Sequence, residues 1–172
     1  MAHLLEPAAS GRSRCRACAG VIGRGELRFG ERIANLFGEG EATFWFHPAC
    51  GAYRRPQAFL EVLGSGSEIA NRSSLEQAAN LGVAHQRLPR IDGAERSPSA
   101  RATCRSCREV IVRDSWRIRL VYFEGVRFTP GGYLHLECRL AYFGVDDILE
   151  RLLHFSRALS IDAREELRRA FQ

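Results

Sequence analysis

Cys15, Cys18, His47 and Cys50 spell Cys-x-x-Cys…His-x-x-Cys, and Cys104, Cys107, His135 and Cys138 spell it again. Every cysteine of the chain belongs to one copy or the other. Each copy offers three thiolates and one imidazole, a set that closes a tetrahedron around Zn²⁺ and leaves no position for a catalytic water. Within the two copies 28 and 27 residues respectively lie between the pairs, so a folded element must bring them together. Disulfides and iron–sulfur clusters are the competing uses of such cysteines. Disulfides suit an oxidising compartment, and no secretory leader is read at the start of the chain to signal one. A cluster usually takes four thiolates. Two Zn²⁺ ions per chain are therefore the expected cofactors.

The duplication runs past the ligands. Arg12 and Arg101 each stand three residues before the first cysteine, and Arg28 and Arg117 each stand thirteen after it. Tyr53 and Tyr142 follow the last ligands, then the apolar stretches Ala58–Leu63 and Ile148–Leu153. Each copy ends on a helix with a serine cap, at Ser74 in the first and at Ser160 in the second. A period of about 88 residues makes two similar small domains, 1–90 and 91–172. The linker is expected over about 88–100, where Pro89, Asp92-Gly93 and Ser97-Pro98-Ser99 interrupt any pattern. Strands are expected at Leu27–Phe37 and Thr43–Phe46 around Gly38-Glu39-Gly40, and at Arg117–Phe123 and Val126–Thr129 around Glu124-Gly125. The fold class is α+β: in each domain a short antiparallel ribbon, a Cys₃His site and two to three helices. Domains this small need the metal to supply folding free energy.

All 25 basic residues are arginine, a usage that points to a GC-rich, bacterial coding sequence, with a cytoplasmic or nucleoid location (nuclear for a eukaryotic source). The net charge is +5, and the excess gathers on each knuckle and ribbon. Six arginines face two glutamates between Arg12 and Arg32, and seven face three acidic residues between Arg101 and Arg127. Such clustering is the electrostatic footprint of phosphate binding. Arg14, Arg16, Arg105 and Arg108 have an alternative use in offsetting the thiolate charge. His3, His85 and His154 are the remaining histidines, none within metal-ligand spacing of another, so no catalytic residues are expected. Trp45 and Trp116 are read as core.

These residues resemble the zinc finger of poly(ADP-ribose) polymerases, also found at the front of a eukaryotic nick-sealing DNA ligase. The resemblance covers nearly the whole chain, twice. Leu5-Glu-Pro-Ala-Ala-Ser-Gly-Arg-Ser-Arg-Cys15 is similar to the family's approach to its first ligand, and Leu27-Arg28 and Trp45-Phe46-His47 also match. The ligand order with so long a middle gap is uncommon among zinc modules. The resemblance implies recognition of DNA nicks, gaps and ends by structure. It implies backbone contacts from Arg12, Arg28, Arg101 and Arg117. It also implies base stacking by apolar residues at the ribbon turn: Phe123, Val126 and Phe128 in the second unit. In the first unit the stacking columns fall on Gly38 and Ala42, so either Phe37 takes the role or the first unit stacks poorly.

The resulting expectation is a non-enzymatic, zinc-dependent protein that binds DNA with strand breaks in repair or break sensing, with a DNA repair enzyme as a candidate partner. No membrane and no small-molecule substrate are expected, and no residues are left for the family's ADP-ribose-transferring domain. The alternative is an arginine-rich, zinc-stabilised protein–protein adaptor.

Overall fold

The computed structural model of the chain describes residues 2–35, 38–66 and 68–172. It divides into two compact units, Met1–Pro89 and Arg90–Gln172. Both are α+β, each a three-stranded antiparallel sheet followed by helices.

In the first unit β1 (Leu4–Pro7), β2 (Leu27–Ala34) and β3 (Glu41–Phe46) pair in chain order. Helices α1 (Pro48–Arg54), α2 (Pro56–Gly64) and α3 (Arg72–Ala84) follow. Proline opens both α1 and α2, where its fixed φ suits a first turn and its missing N–H is no loss. Phe29 on β2 centres the core, stacked with Phe46 at 5.8 Å and edge-on to Phe59 at 5.4 Å. Gly51 lets α1 lie against this cluster, since a Cβ there would stand 2.5 Å from the Phe29 ring. The buried Glu31 accepts two hydrogen bonds from Arg55, each 2.6 Å, which tie β2 to the α1–α2 junction.

The second unit repeats the plan with β4 (Ile91–Arg96), β5 (Trp116–Glu124) and β6 (Arg127–His135). A 3₁₀ turn, Leu136–Cys138, leads into α4 (Arg139–Phe143), then α5 (Leu149–Phe155) and α6 (Ile161–Arg169). Ile118, Leu134, Ile148 and Leu152 are fully buried between sheet and helices. Gly144, at φ +74°, ends α4 in the left-handed conformation that glycine adopts without strain. Ser160 caps α6 as the sequence predicts, accepting from the Ala163 amide at 3.2 Å.

Three expectations need correction. The first strand of each sheet was not anticipated: the stretch 88–100, read as a linker, holds a 3₁₀ turn (Leu88–Arg90) and all of β4. Asp92-Gly93 marks a register shift between Ile91 and Ala94, and Gly93 sits at φ +101° against the Phe155 carbonyl, 2.6 Å from where a Cβ would be. Second, α3 starts at Arg72 after Asn71 at φ +59°, so Ser74 lies inside the helix. Third, β2 ends at Ala34, short of Phe37; Leu36 and Phe37 lie outside the described residues. Among the described residues no helix is long and apolar enough to cross a membrane.

Candidate metal centres and the faces around them

Each Cys-x-x-Cys pair sits on a tight knuckle. The amide of Ala19 donates back to the Cys15 carbonyl at 2.8 Å, and that of Arg108 to the Cys104 carbonyl at 3.0 Å. Both residues are left-handed, φ +57° and +70°, without being glycine. Such strain, about 1 kcal/mol or more, persists where surroundings impose it. Bridges between Arg14 and Val21, and between Thr103 and Val110, close the two loops. The Arg16 amide donates to the Trp45 carbonyl and the Arg105 amide to that of Tyr133, both at 2.9 Å, docking each knuckle on its sheet's last strand. That strand carries the other pair to the same place. His47 and His135 stand at the ends of β3 and β6, and Cys50 and Cys138 lie one helical turn on.

The four ligand atoms in each group lie within 4.8 Å of one another. His47 Nδ1 is 3.4 Å from Cys18 Sγ and 3.9 Å from Cys50 Sγ; His135 Nδ1 is 3.3 Å from Cys107 Sγ and 3.9 Å from Cys138 Sγ. Bonds of about 2.3 Å to sulfur and about 2.0 Å to nitrogen, set tetrahedrally, place those atoms about 3.5 Å apart. The far nitrogens settle the tautomer. His47 Nε2 is 3.2 Å from the Val21 carbonyl and His135 Nε2 is 3.1 Å from that of Val110. A carbonyl can only accept, so Nε2 carries the proton and Nδ1 turns its lone pair to the thiols. Both groups can therefore each hold a metal ion.

Crowded thiols resist ionising together. Hydrogen bonding to Cys18 raises the Cys15 thiol, and bonds to Cys15 and Cys18 with burial drive Cys50 far above the ordinary range. Burial first, then the neighbouring thiols, push Cys138 up to about 12. At Cys104 burial also pushes upward but is outweighed by amides of Cys107, His135 and Ser106, leaving it at about 7. A dication reverses the crowding by stabilising every thiolate, so protons leave as it binds and acid opposes it. The second group is the more open, with Cys107 exposed where Cys18 is half-buried.

The arginines named from sequence fall into two kinds. Arg12 and Arg101 are exposed, and among the described residues neither has an ion-pair or hydrogen-bond partner. Arg28 and Arg117 are enclosed. Arg28 lies 3.5 Å over the Trp45 ring and donates to Glu6 and to Ser13 Oγ, each at 2.6 Å. Arg117 lies 3.7 Å over Tyr133 and donates to Glu95 and to Ser97 Oγ, the Nε bond to Glu95 being 2.9 Å. The sequence does not show these partners, because the two acids lie on the unanticipated strands β1 and β4. Trp45, read as core, is half-buried under Arg28, whereas Trp116 is buried with Arg96 over its ring at 4.3 Å. Arg16 covers Phe44 at 4.4 Å, and Arg105 runs along Gly132, where a Cβ would meet its Nε at 2.7 Å.

Such enclosure makes Arg117→Ala a stability variant. It strands a partly buried carboxylate that, among the described residues, retains only Arg119 as a charged partner, 3.1 Å away. The expected loss is about 2–3 kcal/mol, or roughly 10–20 °C of melting temperature in a domain this size. Arg28→Ala should lose less, since Glu6 is more exposed than Glu95. Thermal unfolding of the two variants checks both the size and the order.

At the ribbon end of the second unit Phe123 and Phe128 are a cross-strand pair one step before the Gly125-Val126 turn, and Glu124 and Arg127 close it. Their rings are half-buried, 4.9 Å apart and tilted by 50°. Val126 is also half-buried. The equivalent Phe37 lies outside the described residues.

No protein-family model matches the chain. Curated relatives do. The chain is 28% identical over 155 residues to a poly [ADP-ribose] polymerase of Drosophila melanogaster, covering 79% of this chain and 16% of that protein. It is 24% identical over 156 residues to that of Sarcophaga peregrina, covering 78% and 16%. To poly [ADP-ribose] polymerase 1 of Oryza sativa subsp. japonica it is 25% identical over 142 residues, covering 78% and 14%. Most of this chain is thus similar to a region making up only 14–16% of those polymerases.

Proposed function

We propose that the chain is a zinc-dependent, structure-specific DNA-binding protein that recognises strand breaks through two poly(ADP-ribose) polymerase-type zinc fingers. In this reading Zn²⁺ fills both Cys₃His groups and acts structurally, holding each knuckle against its sheet. Arg12 and Arg101 reach phosphates, with Arg28 and Arg117 as further backbone contacts. The ring pair at the ribbon end covers the base face that a break exposes. The observation that carries the reading is that pair: two half-buried phenylalanines beside a hairpin turn, on a unit where Arg101, just before the knuckle, is exposed and without an ion-pair or hydrogen-bond partner among the described residues. Core rings are normally sealed; these are placed where a flat partner could stack. The chain binds and does not catalyse, and a repair enzyme drawn to the break is its expected partner.

A gel-shift series over intact, nicked, gapped and blunt-ended duplex, run at fixed salt, tests this. Interrupted DNAs should bind well above intact duplex, and a zinc chelator should abolish the shift. Equal binding to all four would favour a general polyanion or acidic-protein binder. Arg12→Ala and Arg101→Ala should weaken binding to every DNA alike, each lowering the salt slope by roughly one phosphate contact. A double variant with the wild-type slope would return these arginines to the solvated surface.

A further inference from the structure

The same four-part assembly is built twice. Glu6 stands opposite Arg28 across β1–β2, and Glu95 stands opposite Arg117 across β4–β5. In each case the carboxylate takes one edge of the guanidinium, and a serine hydroxyl takes another: Ser13 at 2.6 Å, Ser97 at 3.3 Å. An aromatic ring two residues before the metal-site histidine, Trp45 or Tyr133, covers its flat face. Arg28 Nη2, and Arg117 Nε and Nη2, are thus occupied from within by Oε1 of the acid, while Arg28 Nε is buried with no hydrogen-bond partner among the described residues. A guanidinium fork accepts a carboxylate and a phosphodiester in the same way, through paired N–H donors on two oxygens.

We infer that Glu6 and Glu95 are internal stand-ins for a DNA phosphate, holding Arg28 and Arg117 in place until a phosphodiester displaces them. This rests on the DNA reading above. Two observations carry it. In both pairs the carboxylate is the more accessible member: the Glu6 and Arg28 side chains are 43% and 12% exposed, those of Glu95 and Arg117 29% and 7%. The acid can swing to solvent while the guanidinium stays on its ring. The second observation is the repetition itself: the charge pair and the ring recur at equivalent places, while the hydroxyl is supplied from different places, Ser13 two residues before Cys15 and Ser97 seven before Cys104. The units are not held equally. Glu95 is also bonded by Arg119 Nη1 at 3.1 Å, and among the described residues no second arginine reaches Glu6. The first unit's stand-in should therefore yield more readily.

Glu6→Gln and Glu95→Gln test this in the full, zinc-loaded chain, because glutamine keeps the shape and one acceptor but removes the charge. A clip that is only structural must lower stability and DNA binding together. A stand-in must lower stability and raise affinity. The expected result is a lower melting temperature, binding to nicked duplex tighter by roughly three- to tenfold at low salt, and a salt slope steeper by about one phosphate. Unchanged or weaker binding overturns the inference. A second measurement needs no variant: the side-chain Nε–Hε resonances of Arg28 and Arg117 are followed by NMR as nicked duplex is added to wild-type protein. Both should move on saturation, and fixed resonances overturn the inference. If wild-type protein binds no DNA, the reading under Proposed function falls as well. If it binds with break preference while the glutamine variants fail to tighten, the stand-in role alone falls.

Discussion

Cys107→Ala is expected to lose one of the two metal ions and to unfold the second unit while leaving the first intact. With a metal bound, three thiolates and an imidazole would hold knuckle, sheet and helix start together at this site, and of the apolar residues beside the knuckle Ile111 is buried whereas Val110 and Val112 are 48% and 64% exposed. Structural Zn²⁺ in small fingers binds with about 10–16 kcal/mol, whereas a core of this size seldom supplies more than about 3–5 kcal/mol. The metal term is the larger, so a unit that loses it does not remain folded. Elemental analysis should give two zincs per wild-type chain and one per variant. Calorimetry should show the second unit's transition gone and the first unit's preserved. Full zinc content with an unchanged unfolding profile would refute the structural role of the ion.

Replacing both Phe123 and Phe128 with alanine should erase the preference for broken over intact DNA while leaving weak, salt-sensitive binding. Stacking a ring on an exposed base is worth about 1–3 kcal/mol per base. Reaching a base inside intact duplex first requires unstacking, at a few kcal/mol per step. The difference between those terms exists only where a strand is interrupted. Arginine contacts are common to both DNAs and cannot supply it. The rings lie 4.9 Å apart and shield each other, so the double variant is the informative one. Retention of the wild-type preference by that variant would move discrimination away from the ribbon end.

The ligands were legible in the sequence because tetrahedral chemistry fixes residue type and local spacing together. The two long strands and the Ser160 cap were legible for the same reason, since each rests on a local pattern. What stayed hidden was assembled across distance. β1 is only four residues long, and β4 runs through Asp92-Gly93, where a register shift and a positive φ look from sequence like a break. With those strands unseen, Glu6 and Glu95 had no visible relation to arginines 22 residues further on, and Arg28 and Arg117 were read only as contacts to a DNA backbone. Trp45 misled in the same way: a large ring before a ligand reads as core, but its cover is a guanidinium.

Sealing one nick gives the most direct test. A duplex carrying a single central nick is titrated with wild-type protein, then ligated and titrated again at the same salt, so that length, sequence and charge are held constant apart from one phosphodiester. Break recognition by base stacking predicts a Kd ratio of about 5 to 150, the span that 1–3 kcal/mol covers, with the tighter value before ligation. A ratio of one would mean that the arginines alone account for binding and that the chain does not sense breaks.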